Sequence, residues 1–105
     1  MALMEFSINP LGTGTASVSP YVARAVKVVE KGRGLKYSVT PMGTIVEGEL
    51  EKLLALIPRV HEAVFAAGVS RIVTIVKIDD RRDKPLTREG KVRSVKKMLN
   101  RPHGN

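Results

Sequence analysis

The chain has 105 residues, no cysteine and a formal net charge of +8. This length suits one ordinary domain with a modest core, so a single domain over residues 1–105 is expected. The lack of cysteine excludes disulfides and thiolate chemistry, and no apolar run approaches the roughly 18 residues of a membrane span. No signal-peptide pattern opens the chain, so we expect a cytoplasmic protein without a membrane partner.

The positive charge is concentrated in the C-terminal third. Residues 1–70 hold 7 Lys and Arg against 6 Asp and Glu, whereas residues 71–105 hold 11 against 4. A basic segment of this kind is typical of a nucleic-acid contact, of an anionic-ligand site or of a solvated face. Composition alone leaves these three interpretations open.

The first half predicts a strand, a helix and a hairpin. Residues 2–9 alternate between apolar and other side chains, as in a half-buried strand. Ser19 is predicted to cap the next helix, with Pro20 in its first position. Residues 36–41 and 44–49 then predict two strands joined by a tight turn.

Three more elements are predicted in the second half. A helix over about 50–67 carries an apolar stripe, and Pro58 is expected to kink or divide it. Residues 71–79 are so rich in β-branched side chains that we expect a central strand. A basic helix over about 87–100, weakened by Gly90, follows.

This order, β-α-β-β-α-β plus a terminal helix, predicts an α+β ferredoxin-like sandwich: one antiparallel sheet with helices on one face, the covered face. Alternation assigns side chains to the covered face or to the opposite, open face. The covered face is predicted to hold Met4, Phe6, Ile8, Tyr37, Val39, Val46, Ile72, Val76 and Ile78, and the open face Ser7, Asn9, Ser38, Thr40, Ile45, Glu47, Val73, Ile75, Lys77 and Asp79. The mixed open face favours packing against another subunit around a small polar pocket.

The GTGTAS stretch, residues 12–17, lies where a dinucleotide fingerprint would lie. It lacks the third glycine and a Walker lysine, and an antiparallel sheet has no switch point, so a dinucleotide site is disfavoured. A turn that leads into a helix N-terminus favours anions in general. A modest ligand role and a plain glycine-rich connection both remain open.

Charged residues elsewhere predict structure rather than catalysis. In KIDDRRD, residues 77–83, adjacent carboxylates point to opposite faces, which favours a network of ion pairs over a metal site. Glu47 and Lys77 share the open face, where they either pair directly or present charge to a polar ligand. His61 flanks an apolar stripe and is interpreted as a packing residue. Neither a zinc site nor a catalytic triad can be assembled, so no enzyme is predicted.

The basic helix is the feature that favours nucleic acid. RNA-recognition sheets with this fold carry stacking aromatics on the open face. Here the corresponding positions carry Ser, Val, Ile and Lys. RNA recognition by this face is therefore disfavoured.

Four stretches together resemble the small YkoF-like thiamine-binding family: PLGTGTASVSPYVARAV, KYSVTPMGTIVEGEL, HEAVFAAG and RIVTIVKIDDRRD. The resemblance runs from about residue 5 to residue 99. It implies a ferredoxin-like fold, sheet faces packed together in dimers, and assembly into tetramers. It also implies binding of thiamine or its hydroxymethylpyrimidine portion without catalysis.

The resemblance further implies a set of ligand contacts but no metal or cofactor. They come from the first loop, from the MGT-x-x-E block and from KIDDRRD. The implied residues are Ser17, Ser19, Tyr21, Met42, Gly43, Thr44, Glu47 and Lys77. For Glu47 there is a physical rationale, because a carboxylate accepts a charge-assisted hydrogen bond from an aminopyrimidine.

Two functions are therefore carried forward. The first is a cytoplasmic homo-oligomer, expected to be a dimer of dimers, that binds thiamine or hydroxymethylpyrimidine. The alternative is a regulatory or structural oligomer whose basic C-terminal helix contacts nucleic acid or a protein partner.

Overall fold

The computed structural model describes residues 1–100, so residues 101–105 of the predicted domain lie outside it. The elements are β1 (Ala2–Leu11), α1 (Ser19–Glu30), β2 (Lys36–Thr40), β3 (Gly43–Gly48), α2 (Leu50–Phe65), β4 (Arg71–Asp80) and α3 (Arg88–Leu99). The strands form one antiparallel sheet in the order β2-β3-β1-β4. This arrangement confirms the predicted ferredoxin-like α+β fold.

The register confirms the predicted sheet faces. Met4 lies opposite Val46 on β3 and opposite Ile78 on β4, and residues directly opposite one another share a face. The core lies between the covered face and the two helices α1 and α2. Its buried members are Ala2, Met4, Phe6, Ile8, Ala25, Val29, Val46, Leu53, Leu56, Val60 and Val64.

β4 is an edge strand, so the prediction of a central strand was wrong. Within residues 1–100 it pairs with β1 alone. β-branched content reflects how well side chains fit a half-buried surface, and it does not fix the place of a strand in the sheet. On the open face Val73 and Ile75 are 43% and 63% exposed, so residues 1–100 leave them largely uncovered.

α1 begins one residue before the predicted start. Val18 holds the N-cap position, and its carbonyl accepts hydrogen bonds from the N–H groups of Tyr21 and Val22 at 3.0 and 3.1 Å. Ser19 is the first helical residue and caps nothing. The prediction was wrong because proline is tolerated throughout the first turn, so Pro20 does not fix a single start position.

Pro58 does not divide α2, which is continuous from Leu50 to Phe65. A proline inside a helix removes one backbone hydrogen bond. Leu56 and Val60, two residues to either side, are both 2% exposed. Packing of this apolar face against the sheet offsets the lost bond and keeps the helix whole.

α3 begins on the open face and then leaves the sheet. The Thr87 hydroxyl caps it by accepting a hydrogen bond from the Gly90 N–H at 2.9 Å. Its apolar stripe is largely exposed: Val92, Val95 and Leu99 are 54% to 76% exposed. The radius of gyration is 16.1 Å, against about 13 Å for a compact domain of this length. None of the helices within residues 1–100 is long and apolar enough to cross a membrane.

Candidate functional site

A cavity opens where β1 continues beyond the end of β3, and we call it the edge cavity. Its volume is about 270 Å³. It is lined by Phe6, Ser7, Ile8, Asn9, Val18, Val22, Ala25, Thr40, Pro41, Met42, Gly43 and Thr44. Small-molecule sites typically have volumes of about 300–1,000 Å³ and apolar walls with a few polar groups. The edge cavity therefore suits a ligand built around one small ring.

Thr44 places a hydroxyl in the wall of the edge cavity. The residue lies opposite Phe6 on the covered face and is 2% exposed. The residue also lines the edge cavity, so a ligand there would lie next to a polar side chain. A ligand with a polar edge fits beside such a side chain.

The β2–β3 turn holds Met42 and Gly43 at the mouth of this cavity. The Thr40 hydroxyl donates to the Gly43 carbonyl at 2.8 Å and accepts from the Gly43 N–H at 3.1 Å. A Cβ on Gly43 would lie 3.0 Å from the Phe6 carbonyl oxygen, so a larger residue would push β3 and β1 apart by a few tenths of an ångström. Met42 is 84% exposed, which leaves its side chain free to cover a ligand.

The first loop and α1 reach the edge cavity through residues other than those implied by the resemblance. Val18 at the end of the loop and Val22 of α1 line the cavity, whereas Ser17, Ser19 and Tyr21 do not. The Ser17 N–H donates to the Thr15 hydroxyl at 3.2 Å, and Tyr21 packs half-buried against the core. The sequence could have identified Val18 and Val22 as cavity-lining residues only if the start of α1 had been predicted correctly.

Glu47 lies on the other side of the sheet from Thr44. It is 3% exposed, and its Oε1 accepts a hydrogen bond from the Arg88 backbone N–H at 2.9 Å. This contact places a carboxylate at the N-terminus of α3, where the helix dipole favours negative charge. Residues three positions apart on a strand point to opposite faces, so the sheet separates Thr44 from Glu47.

Lys77 lies on the open face as predicted, in a second cavity of about 380 Å³ that we call the open-face cavity. Its position is directly opposite Glu5 on β1. Among residues 1–100, Lys77 forms no ion pair with Glu47. The eight implied contacts therefore do not converge on one pocket, and Met42, Gly43 and Thr44 form the group that does.

The first turns of α3 close the open-face cavity. The Arg88 guanidinium donates to the Ser38 hydroxyl, and Lys91 Nζ lies 2.8 Å from Asp79 Oδ2. With the Glu47 contact, residues on β2, β3 and β4 all hold this helix. These contacts hold the first turns of α3 against the open face.

The KIDDRRD segment forms the predicted structural network. Arg81 donates two hydrogen bonds to Asp83, at 2.6 and 2.9 Å, and Arg82 pairs with Asp80 at 2.9 Å. The Arg81 hydrogen bonds lower the pKa of the Asp83 carboxyl to about 2. Within residues 1–100 no group of three His, Asp or Glu side chains could hold a metal ion.

His61 is a packing residue, as predicted. Its Nε2 lies 2.6 Å from the Thr74 hydroxyl, and its ring meets Phe65 edge-on with centroids 6.3 Å apart. These contacts join α2 to β4. The imidazole therefore packs between α2 and β4.

Comparison with known families and sequences gives a consistent result. The family model of thiamine-binding proteins matches residues 4–96. The UPF0045 protein YqgV of Bacillus subtilis is 48% identical over 103 residues, which cover 94% of this chain and 98% of that protein. A UPF0045 protein of Methanothermobacter thermautotrophicus is 42% identical over 100 residues, covering 94% of this chain and 100% of that protein.

Solved structures show the same fold. The hypothetical protein MJ1052 of Methanocaldococcus jannaschii is 41% identical with a TM-score of 0.83, over 90% of this chain and 95% of that one. A Thermotoga maritima protein with a proposed role in thiamine biosynthesis or salvage has a TM-score of 0.74, over 90% and 97% of the two chains. At 23% identity this second likeness supports the fold alone.

Proposed function

This chain belongs to the thiamine-binding protein family, and from that premise we propose that it binds thiamine, or the hydroxymethylpyrimidine portion of thiamine, in the edge cavity. The chain holds or delivers this ligand without transforming it. The observation that carries the proposal is the cavity of about 270 Å³ itself, which combines apolar side chains with the buried Thr44 and the polar residues Ser7 and Asn9. An aminopyrimidine combines two apolar ring faces with a polar edge, which is the chemistry that such a cavity takes.

Under this proposal Met42, Gly43 and Thr44 contact the ligand, whereas Glu47 and Lys77 act elsewhere. The hydrogen bond from Arg88 commits Glu47 to holding α3. Lys77 lines the open-face cavity under the same helix. Both residues then serve the contact between the open face and α3.

The assembly that we propose is a cytoplasmic homo-oligomer formed through the open face, with a dimer of dimers as the expected order. Val73 and Ile75 expose apolar side chains on that face. The exposed stripe of α3 adds Val92, Val95 and Leu99 to the apolar surface. A two-fold symmetric contact covers the same patch on both copies at once, which removes this apolar surface from water.

Isothermal titration with hydroxymethylpyrimidine and with thiamine tests the ligand assignment. We expect Thr44→Val to weaken binding about fivefold to tenfold, since one buried hydrogen bond contributes about 1 kcal/mol. Thr13→Val, in the exposed first loop, is the matched control and should leave the affinity unchanged. The absence of heat with either compound and the unaltered chain would overturn the proposal.

A basic groove between β2 and α3 favours the alternative function. The groove has a volume of about 390 Å³ and is lined by Ser38, Arg88, Glu89, Val92, Arg93 and Lys96. The pKa of the Glu89 carboxyl is lowered, first by a backbone hydrogen bond and then by the charges of Arg88, Lys36 and Arg93. Three cations and one acid line the groove, so it carries a net positive charge, which attracts a nucleic-acid backbone.

Fluorescence anisotropy with a labelled DNA duplex at several salt concentrations tests this alternative. The triple variant Arg93→Gln, Lys96→Gln, Lys97→Gln should weaken binding and flatten its salt dependence by about 2–3 units of slope. The variant Arg24→Gln, Lys27→Gln, Lys31→Gln, in α1 and at its C-cap, removes the same charge at another surface. Equal losses in the two variants would show a net-charge effect and remove the basic groove from consideration.

A further inference from the structure

β1 is longer than its neighbour β3, and the difference leaves a bare strand edge. Its register with β3 runs from Ala2↔Gly48 to Phe6↔Thr44, whereas its register with β4 continues to Leu11↔Arg71. Residues 7–11 of β1 therefore have a strand neighbour on one side only. On the other side, beside Ile8, lies the edge cavity.

The direction of the backbone groups along this edge follows from Phe6. Its carbonyl oxygen faces β3, because it lies 3.0 Å from the position of a Cβ on Gly43. In an antiparallel sheet the N–H and C=O of one residue point to the same neighbour, and successive residues alternate. Ile8, two positions further on, therefore directs both groups to the β3 side, where β3 has already turned away.

The two backbone groups of Ile8 meet no hydrogen-bond partner within residues 1–100. In a continued register Met42 would face Ile8, but the chain turns there, and the Met42 N–H donates to the Thr40 hydroxyl at 3.4 Å. Ile8 is 6% exposed. Buried backbone groups are almost always paired, so a buried and unpaired donor and acceptor beside a cavity point to a ligand.

We infer that Ile8 recognises the polar edge of the ligand through its backbone. The class of ligand is a heteroaromatic ring with an amino group next to a ring nitrogen, and the inference rests on the proposed binding of a pyrimidine in the edge cavity. The Ile8 carbonyl accepts a hydrogen bond from the amino group, while the Ile8 N–H donates to the ring nitrogen. The ring thereby takes the place of the strand residue that β3 does not supply.

Pro10 excludes an added peptide strand as the occupant of this edge. It is the next residue of β1 that faces the same side, and it has no N–H to donate. Only Ile8 offers a complete donor–acceptor pair there. One ring satisfies that pair, whereas an extended chain would meet a gap at the next position.

An NMR titration with 4-amino-2-methylpyrimidine reads the contact directly. We expect the amide proton of Ile8 to move downfield on binding, and by more than the amide proton of Asn9, which faces β4. An analogue with a carbonyl in place of the amino group puts an acceptor opposite the Ile8 carbonyl. It should bind at least about tenfold more weakly.

Two variants distinguish the contribution of the Ile8 backbone to ligand binding from that of its side chain. Ile8→Pro removes the N–H on an edge that already accepts Pro10, and Ile8→Ala loses the side chain but keeps the N–H. We expect Ile8→Pro to bind at least about fivefold more weakly than Ile8→Ala. If Ile8→Pro fails to fold, the NMR shift of the Ile8 amide and the affinity of the carbonyl analogue test the inference without it.

The possible failures are distinguishable. If the unaltered chain binds the pyrimidine, but the Ile8 amide does not move and the carbonyl analogue binds equally well, the backbone inference is overturned and the proposed function stands. Equal affinities of Ile8→Pro and Ile8→Ala would overturn it in the same way. If the unaltered chain binds neither the pyrimidine nor thiamine, the proposed function itself fails.

Discussion

The two faces of the sheet are completed in different ways. On the covered face Met4 and Val46 are 0% exposed beneath α1 and α2, and Leu53 of α2 is equally buried. On the open face Ile75 is 63% exposed, and within residues 1–100 only the first turns of α3 lie across the strands. The contrast teaches that the two faces differ in role: the covered face stabilises the fold, whereas residues 1–100 leave much of the open face exposed.

The largest expected effect is on the covered face. Leu53→Ala removes a fully buried side chain and should lower the free energy of unfolding by about 2–5 kcal/mol. Val95→Ala, on the exposed stripe of α3, should change it by less than about 0.5 kcal/mol. Urea denaturation of both variants, at concentrations where the chain is monomeric, measures the difference. Equal losses would show that α3 belongs to the same core.

The open face should respond in assembly rather than in folding. Ile75→Asp places a carboxylate in the proposed interface and should weaken self-association at least about 100-fold, since an unpaired buried charge is strongly unfavourable. Val39→Asp is the matched control, because Val39 is 57% exposed on the covered side of β2. Sedimentation velocity distinguishes the two. Unchanged assembly in Ile75→Asp would place the interface elsewhere.

A smaller effect is expected where the open face holds α3. Glu47→Ala leaves the Arg88 N–H without its partner and should lower stability by about 1–3 kcal/mol. Hydrogen exchange at the Arg88 amide should become faster, while exchange at the Leu53 amide follows only the change in global stability. Unaltered protection of Arg88 would mean that Thr87 and Lys91 are sufficient to hold the helix.

The smallest effect concerns the exposed turn after β4. Arg81→Gln should return the pKa of the Asp83 carboxyl from about 2 toward its ordinary value of 3.8. Because folding lowers this pKa, the stabilisation is present above the pKa of the unfolded chain and is lost as pH falls toward about 2. The chemical shift of the Asp83 carboxyl carbon, followed against pH, measures it. A pKa that stays near 2 in the variant would assign the shift to another group.

Side-chain direction could be read from the sequence, but strand order could not. Alternation is a local property of a strand, and it placed Met4 and Ile75 on their correct faces. The position of β4 at the edge depends on which strands pair, and that is decided by connections and by the register as a whole. The β-branched composition of β4 indicates apolar faces that favour burial. The sequence analysis interpreted those faces as evidence for a central strand, although they do not determine strand order.

The site was predicted only in part, because local sequence patterns do not show which elements come together in space. Thr44 and Glu47 belong to one sequence block, yet their separation by three positions already places them on opposite faces. The resemblance carried the whole block over as one set of ligand contacts and took no account of side-chain alternation. The role inferred for Ile8 could not be predicted from the sequence, because it depends on the unequal lengths of β1 and β3. The turn at Met42 determines where β3 begins and therefore sets that difference in length.

Parallel titrations of hydroxymethylpyrimidine into Thr44→Val and Glu47→Gln test the division between the faces most directly. Both changes are nearly isosteric, and each removes one feature of one face. We predict an affinity about fivefold to tenfold weaker for Thr44→Val and an unchanged affinity for Glu47→Gln. The reverse pattern, with Glu47→Gln weakened and Thr44→Val unchanged, would place the ligand on the open face and contradict the account.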